Sequence, residues 1–286
     1  MRVGFLKKTI AASVVIFLTT VLSAERSFAF SPFENFTKEQ KLITLNAAVA
    51  TGTFLWGVAF WNYGKYSPHG KTELWFDEEA YRGGADKTGH FYATYAATHL
   101  LSYVYESWGY ETAEAAKWGA ISTFTLQGLM ELGDAISKYG FSYEDMIMNT
   151  VGSTMGYLTY RYPKLANKID FRLEYFPSEG LIKKEKIDFT TDYDGMKFLV
   201  AVKLDGFDFV KNKYLKYLEL QLGYYTRGYK WETGPVSDRS RNIYVAVGLN
   251  ISKIANDLSF KKTSRFLNYY QIPYTYLPLE HDFNDD

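Results

Sequence analysis

The chain of 286 residues contains no cysteine. Disulfide bonds, thiolate catalysis, thiolate metal sites and lipid attachment through an N-terminal cysteine are therefore excluded. Neither sign of charge is in excess, because 32 Lys and Arg balance 32 Asp and Glu. Proteins that bind nucleic acid carry a basic surplus or patch, so we expect no nucleic acid among the partners.

Aromatic residues are abundant, with 25 Tyr and 21 Phe, and hydrophobic residues make up 47% of the chain. A chain of this length and composition buries a sizeable core in one large or two modest domains. Aromatic side chains with one polar end are favoured where apolar and aqueous phases meet. This composition favours a protein of the cell envelope.

The first 29 residues have the features of a signal peptide. Basic residues precede an apolar run from Ile10 to Leu22, and Ser27-Phe28-Ala29 offers small residues for cleavage. The run is shorter than the roughly 20 residues of a membrane span, although a retained N-terminal anchor is the alternative. Cleavage after Ala29 leaves 28 basic and 31 acidic residues, a net charge of −3.

Residues 37–165 are predicted to form a bundle of about four helices. Thr37 and Gln40 form a capping box at the start of the first helix. Pro163 closes this half of the chain. The other three helices are predicted from about Asp86 to Trp108, from Glu111 to Tyr139, and from a Ser142 cap to about Arg161.

The first of these helices has an uncharged stretch, Leu42 to Asn62, that is flanked by Lys41 and Lys65. Its length and the aromatic residues at its far end are typical of a membrane-spanning helix. Its Thr, Asn and Gly residues equally suit a central core helix of a soluble bundle. The sequence leaves both interpretations open.

Residues 170–279 are predicted to form an antiparallel β-rich region, because apolar residues alternate with other residues there. We therefore expect an α+β fold, with a helical bundle first and an antiparallel sheet second. A short helix near Lys261 to Asn268 and an acidic tail, residues 280–286, complete the chain. The alternating residues are Phe198, Val200, Val202 and Leu204, then Leu218, Leu220, Leu222 and Tyr224, then Ile243, Val245, Val247, Leu249 and Ile251.

Only three or four strands are convincing, and fewer than eight do not close a barrel across a bilayer. We therefore expect a sheet packed on the helices, with an integral membrane barrel as the alternative.

Seven polar residues recur at helical spacing inside otherwise apolar helices. Residues three or four apart share one helix face, so these side chains can point towards a common interior. Gly152 and Gly156 add a stripe of small residues that allows close helix packing. His99 lies on the opposite face from His90 and is expected to be structural. The polar residues are Asp86, Lys87, His90, Glu131, Asp134, Asp145 and Asn149.

Three interpretations of this set remain open. Carboxylates at helix starts cap backbone amides, with Lys87 paired to Glu131 or Asp134. A buried polar network fixes helix register without chemistry. A catalytic or metal site is the third, in which His90, Glu131 and Asp134 would bind a divalent metal such as zinc, manganese or iron.

The ordered pattern Asp86-Lys87-x-x-His90, Glu131-x-x-Asp134 and Phe141-Ser142-x-x-Asp145-x-x-x-Asn149-x-x-Gly152-x-x-x-Gly156 resembles the YfiM-type family of uncharacterised predicted periplasmic lipoproteins. It is distantly similar to VanZ-type membrane proteins. Tyr193-Asp194-Gly195, Leu218 to Gly223 and Arg241 to Ile254 resemble longer members with a β-rich extension. The resemblance implies export and an envelope location but no defined activity, and the absence of cysteine departs from a lipoprotein.

We therefore expect an exported periplasmic protein, associated with the outer membrane, that acts as a structural or interaction component. Its expected partners are a membrane surface or envelope proteins. The alternative is a hydrolase of an envelope lipid or glycan. In that case His90 is a base or metal ligand, Glu131, Asp134 and Asp145 are ligands or acids, and Lys87 stabilises developing negative charge. A small-ligand binding module is the third hypothesis, and the sequence does not identify a substrate.

Overall fold

A computed structural model describes residues 35–183, 189–229 and 238–283. Within them the predicted α+β fold is confirmed: a helical bundle is followed by a five-stranded antiparallel sheet. The predicted signal peptide lies outside the described residues.

Four long helices form the bundle. Thr37 and Gln40 make the predicted capping box through reciprocal hydrogen bonds of 2.9 and 3.2 Å. Ser142 accepts a hydrogen bond from the amide of Asp145, as predicted for the fourth helix. The helices are α1 (Lys38–Phe60), α2 (Ala85–Ser107), α3 (Thr112–Asp134) and α4 (Tyr143–Arg161), followed by the short α5 (Pro163–Ala166).

Helices α1 and α3 run parallel to each other and antiparallel to α2 and α4. Lys38 lies 3.8 Å from Glu114, where α1 and α3 begin. The Tyr160 hydroxyl donates to Glu106 at 2.6 Å, where α2 and α4 end. We call this the first end of the bundle, and the opposite end, where α2 and α4 begin, the second end.

Helices α2 and α4 approach closely at the predicted glycine stripe. A Cβ atom at Gly152 would lie 2.4 Å from the carbonyl oxygen of Phe91, and one at Gly156 would lie 2.6 Å from Thr98 Cβ. Both distances are shorter than any van der Waals contact. The prediction that these glycines permit close packing is confirmed.

The sheet has the order β1-β2-β3-β4-β5, with every neighbouring pair antiparallel. The far edge of β1 also pairs at Leu173 with Tyr270, in the segment that precedes β5. The sheet therefore bends back towards its own first strand. The strands are β1 (Ile169–Tyr175), β2 (Met196–Lys203), β3 (Leu218–Arg227), β4 (Ser240–Leu249) and β5 (Tyr276–Asp282), and the short helices are α6 (Glu179–Ile182), α7 (Ile251–Asp257) and α8 (Lys261–Leu267).

Three details of the predicted β region were wrong. Ile251 begins α7 instead of extending β4, because the Asn250 side chain accepts a hydrogen bond from the Lys253 amide and caps a helix. Leu204 begins a 3₁₀ turn after β2. Glu280 pairs with Tyr244, so the first residues of the predicted acidic tail belong to β5, a fifth strand. The short helix predicted near Lys261 is confirmed as α8.

The sheet buries charged side chains on one face, beside a small apolar core, and exposes apolar side chains on the other. The core residues are Leu199, Ala201, Tyr225, Tyr244 and Ala246. The buried face of the sheet holds Arg172, whose guanidinium donates to Glu219 at 2.6 Å and to Asp170 at 2.7 Å. The apolar face packs on α2 only in part, with the rings of Phe91 and Phe171 4.9 Å apart. The rest of that face is exposed, including Leu220, Leu222, Val245, Val247, Leu277 and Leu279.

Candidate functional site: a charged cluster at the second end of the bundle

The cluster lies where α2 and α4 begin and α3 ends. Asp86 and Lys87 belong to the first turn of α2, Asp145 to the first turn of α4 and Glu131 to the last turn of α3. All four residues are at least 95% buried. Burial of so many ionisable groups is costly unless they are paired.

A left-handed turn, Tyr81–Gly84, orients the start of α2. Arg82, Gly83 and Gly84 have φ values of +54°, +59° and +83°. A Cβ atom at Gly84 would lie 2.5 Å from the carbonyl oxygen of Trp75, so glycine is required there. The hydroxyl of Thr226 in β3 donates to the Arg82 carbonyl at 3.1 Å and fixes the turn against the sheet.

Lys87 is the centre of the cluster and is fully buried. Its Nζ donates to Glu73 at 2.5 Å, to Asp145 at 2.7 Å and to Asp86 at 3.0 Å. The predicted pairing of Lys87 with Glu131 or Asp134 was wrong, because its side chain meets the start of α4 and the loop before α2.

His90 lies one turn further into the bundle. Its Nδ1 is 3.2 Å from Asn149 Oδ1 and 3.8 Å from Glu131 Oε1. Its Nε2 is 3.8 Å from Asp86 and 3.9 Å from Asp145. Its side chain is 18% exposed, more than the side chains of Asp86, Glu131 and Asp145.

Asp134 lies at the rim of the cluster. It accepts a hydrogen bond from the hydroxyl of Ser137 at 3.5 Å. Asp134 is thus the one of the seven predicted residues that lies beside the cluster. The other six are joined by polar contacts of less than 4 Å that centre on Lys87 and His90. His99 lies elsewhere, bonded to Tyr269 at 2.6 Å and Thr159 at 2.8 Å, and its structural role stays a prediction.

The sequence analysis missed two members of the cluster. Glu73 comes from the loop between α1 and α2, where no helical spacing marks it. Tyr193 comes from a 3₁₀ turn before β2, and its hydroxyl donates to Asp86 Oδ1 at 2.6 Å. The Tyr193-Asp194-Gly195 motif was the only sequence signal for this contact.

Burial and the nearby charge of Asp86 together raise the pKa of Glu73 to about 7, although Lys87 opposes both effects. Three carboxylates, Glu73, Asp86 and Asp145, share the single ammonium of Lys87. Glu73 therefore gains or loses its proton near neutral pH.

A metal-ligand set exists within the cluster, although it differs from the predicted one. Ligand atoms of Asp86, His90 and Asp145 all lie within 4.8 Å of one another. The predicted set combined His90 with Glu131 and Asp134. Because the ammonium of Lys87 is already bonded to Asp86 and Asp145, a metal ion would have to compete with it.

An apolar cavity of about 390 Å³ lies beside the cluster, between the bundle and the sheet. The side chains of Phe91, Met148, Phe171 and Tyr224 contribute to its lining, and none of the seven predicted site residues does. Asn149 Nδ2 is buried without a hydrogen-bond partner among the described residues.

Residues 72–161 match a family model described as predicted periplasmic lipoprotein (DUF2279). The match covers α2 to α4 and includes Glu73 together with all seven predicted residues, but it ends before the sheet. It supports a periplasmic lipoprotein-like family and an exported protein of uncharacterised activity. Neither the curated proteins nor the solved structures give a match to this chain.

Proposed function

We propose that this protein is a membrane-associated component of the cell envelope, exported to the periplasm and held at the outer membrane. In this proposal it acts as a structural or interaction component whose partners are the membrane surface or envelope proteins. The resemblance of Asp86 to Tyr160 to YfiM-type proteins agrees with such a role.

The observation that carries the proposal is the exposure of α1. Among helices in the described residues, Lys38–Phe60 is the one long and apolar enough by composition to cross a membrane. Gly57 is its one buried residue. Large apolar side chains point to the outside, with Ile43 65%, Leu55 61% and Phe60 64% exposed. A core helix of a soluble bundle would be mostly buried, so this exposure favours a helix that contacts lipid.

Membrane fractionation tests this proposal. We expect the full-length protein to stay with membranes after an alkaline carbonate wash, and to band with the outer membrane on a density gradient. The triple variant Ile43→Ser, Leu55→Ser, Phe60→Ser should be released in part. Phe209→Ser, at an exposed loop position, is the matched control and should not be released. Recovery of the unmodified protein in the soluble fraction would contradict the proposal.

The second candidate is a metal- or histidine-dependent hydrolase of an envelope lipid or glycan. The contact that favours it is the Asp86, His90 and Asp145 set, whose ligand atoms lie within 4.8 Å of one another. This candidate ranks second because Lys87 already neutralises two of those carboxylates. In addition, none of the seven predicted site residues lines the apolar cavity beside the cluster.

Measurement of metal content by mass spectrometry tests whether the protein is a metal-dependent hydrolase. Stoichiometric metal in the purified protein, lost in a folded His90→Ala, Glu131→Ala variant, would raise the hydrolase above the structural role. Absence of metal after purification without chelator would leave the buried polar network as the better account.

A further inference from the structure

We infer that all four long helices, and not α1 alone, lie within a lipid bilayer, with their outward faces against phospholipid acyl chains. This inference rests on the proposed membrane association and extends it from one helix to the bundle. It places the Lys87 cluster at the second end of the bundle, close to one membrane surface.

The first argument is the inverted polarity of the bundle. Its interior is lined by small hydroxyl residues that are at least 95% buried: Thr94, Thr98, Ser102, Ser122, Thr123 and Ser153. Its outside is apolar, with exposed side chains that include Leu100, Tyr103, Trp118, Ile121, Phe124, Leu129, Leu132, Ile147 and Val151. A bundle in water buries its large apolar side chains. In lipid no hydrophobic driving force favours their burial, so they can face outwards.

The buried hydroxyls are compatible with an apolar surrounding, because five of the six donate within their own helices and Ser122 accepts from the Tyr105 hydroxyl of α2 at 2.9 Å. Thr98 donates to the Thr94 carbonyl at 2.8 Å, and Ser102 donates to the Thr98 carbonyl at 2.7 Å. Thr123 donates to Gly119 in the same way, at 2.8 Å. No water is needed to satisfy these groups, which is the requirement for polar side chains inside a membrane.

Small residues at the helix contacts give the same indication. A Cβ atom at Gly119 would lie 2.1 Å from Ser102 Oγ, so α2 and α3 approach as closely there as α2 and α4 do at Gly152. Close contacts between small residues are the usual means of helix association in lipid, where burial of large apolar side chains supplies no driving force.

The distribution of charge sets the depth of the bundle. Residues 42–64, 88–105, 118–130 and 146–160 contain no Asp, Glu, Lys or Arg. At 1.5 Å per residue the helical parts of these runs extend about 20 to 28 Å. Those of α1 and α2 approach the roughly 30 Å of a bilayer's hydrocarbon core, and those of α3 and α4 are shorter. Exposed charges occur at the two ends: Glu106, Glu111, Glu114 and Lys117 at the first end, and Lys65, Lys71 and Lys138 at the second.

Among the described helices, mean hydropathy identifies α1 alone as a membrane-spanning helix, because the mean is taken over both faces of a helix. The Thr, Ser, Gly and charged residues on the inward faces of α2 to α4 lower their mean hydropathy, although these residues do not meet the surroundings. The outward faces decide whether a helix is stable in lipid.

Spin-label accessibility tests the inference directly. Because the chain contains no cysteine, a single introduced cysteine is the one site of labelling. Nitroxides would be attached at Leu100→Cys, Ile121→Cys and Val151→Cys, all at exposed positions, in the full chain reconstituted into phosphatidylglycerol and phosphatidylethanolamine vesicles. Glu111→Cys and Lys138→Cys, at the two ends, are the matched controls. Oxygen partitions into lipid, and a polar nickel chelate remains in water.

We expect the three bundle positions to collide several-fold more with oxygen than with the nickel chelate, and the two controls to show the reverse order. Nickel access at the bundle positions of vesicle-bound protein would overturn the inference and leave the proposed membrane association standing. Exclusion of both probes with dipolar broadening would assign the surface to a second copy of the chain and would also overturn it. Protein that fails to bind vesicles would contradict both proposals.

Discussion

Lys87 and Asp145, 58 residues apart in the sequence, form an ion pair of 2.7 Å that joins the start of α2 to the start of α4. The same ammonium bonds Glu73, so one buried cation holds two helices and the loop that precedes them. The arrangement at the second end of the bundle depends on this one side chain.

Removal of that cation should destabilise the fold strongly. Lys87→Met leaves Glu73, Asp86 and Asp145 buried without their counter-ion, and the loss of one partner from such a site costs about 3 to 5 kcal/mol. Thermal unfolding followed by circular dichroism should show a large fall in midpoint. Lys164→Met, at an exposed position in α5, is the control and should change little. Equal midpoints for the two variants would show that the ion pairs contribute nothing.

The raised pKa of Glu73 predicts a pH dependence of stability. Its pKa is about 7 in the folded protein and has a reference value of 4.5, so the folded state binds more protons between these values. The unfolding free energy should therefore decrease as pH rises from about 4.5 to about 7. Glu73→Gln should reduce the slope of the unfolding free energy against pH across this range. Glu79→Gln, exposed in the same loop, serves as the control, and a Glu73→Gln profile as steep as the unmodified one would refute the assignment.

The glycine contact between α2 and α4 predicts opposite effects for two similar changes. Gly152→Ala forces a methyl group against the Phe91 carbonyl and should cost about 1 to 3 kcal/mol. Gly52→Ala in α1 meets nothing within 4 Å. It should stabilise by about 0.5 to 1 kcal/mol, because alanine favours a helix. Denaturant titration of both variants measures the difference, and a loss of equal size at both positions would argue against close packing.

Arg172 should be as important to the sheet as Lys87 is to the bundle. It is 2% exposed and bonds Asp170 and Glu219. Arg172→Met should destabilise by about 3 to 5 kcal/mol. The added change Glu219→Gln removes one of the orphaned charges and should restore part of the loss. A double variant less stable than the single one, by calorimetry, would contradict this account.

Local features of the fold could be predicted because they depend on neighbours in the sequence. The Thr37 capping box, the Ser142 cap and the Gly152–Gly156 stripe each need only residues within one or two helical turns, and all three are present. Ile251 was misassigned for a related reason. Its alternation with Leu249 suggested a strand, but the side chain of Asn250 supplies a helix cap.

The remaining features depend on contacts distant in sequence. Glu73 has no periodic pattern, and only the path of the loop places it on Lys87. Alternation along β3 and β4 predicted strands correctly, but it does not specify which face of a strand is buried. The buried face contains Arg172, Glu219 and Gln221, whereas most of the leucine and valine face is open.

The bond from Tyr193 to Asp86 joins the sheet to the charged cluster, and the contacts of Tyr269 with Tyr92 and His99 join it again further along α2. Two attachments on one rigid helix leave the sheet no independent hinge. We therefore expect any tilt of α2 to move the sheet together with the charged cluster.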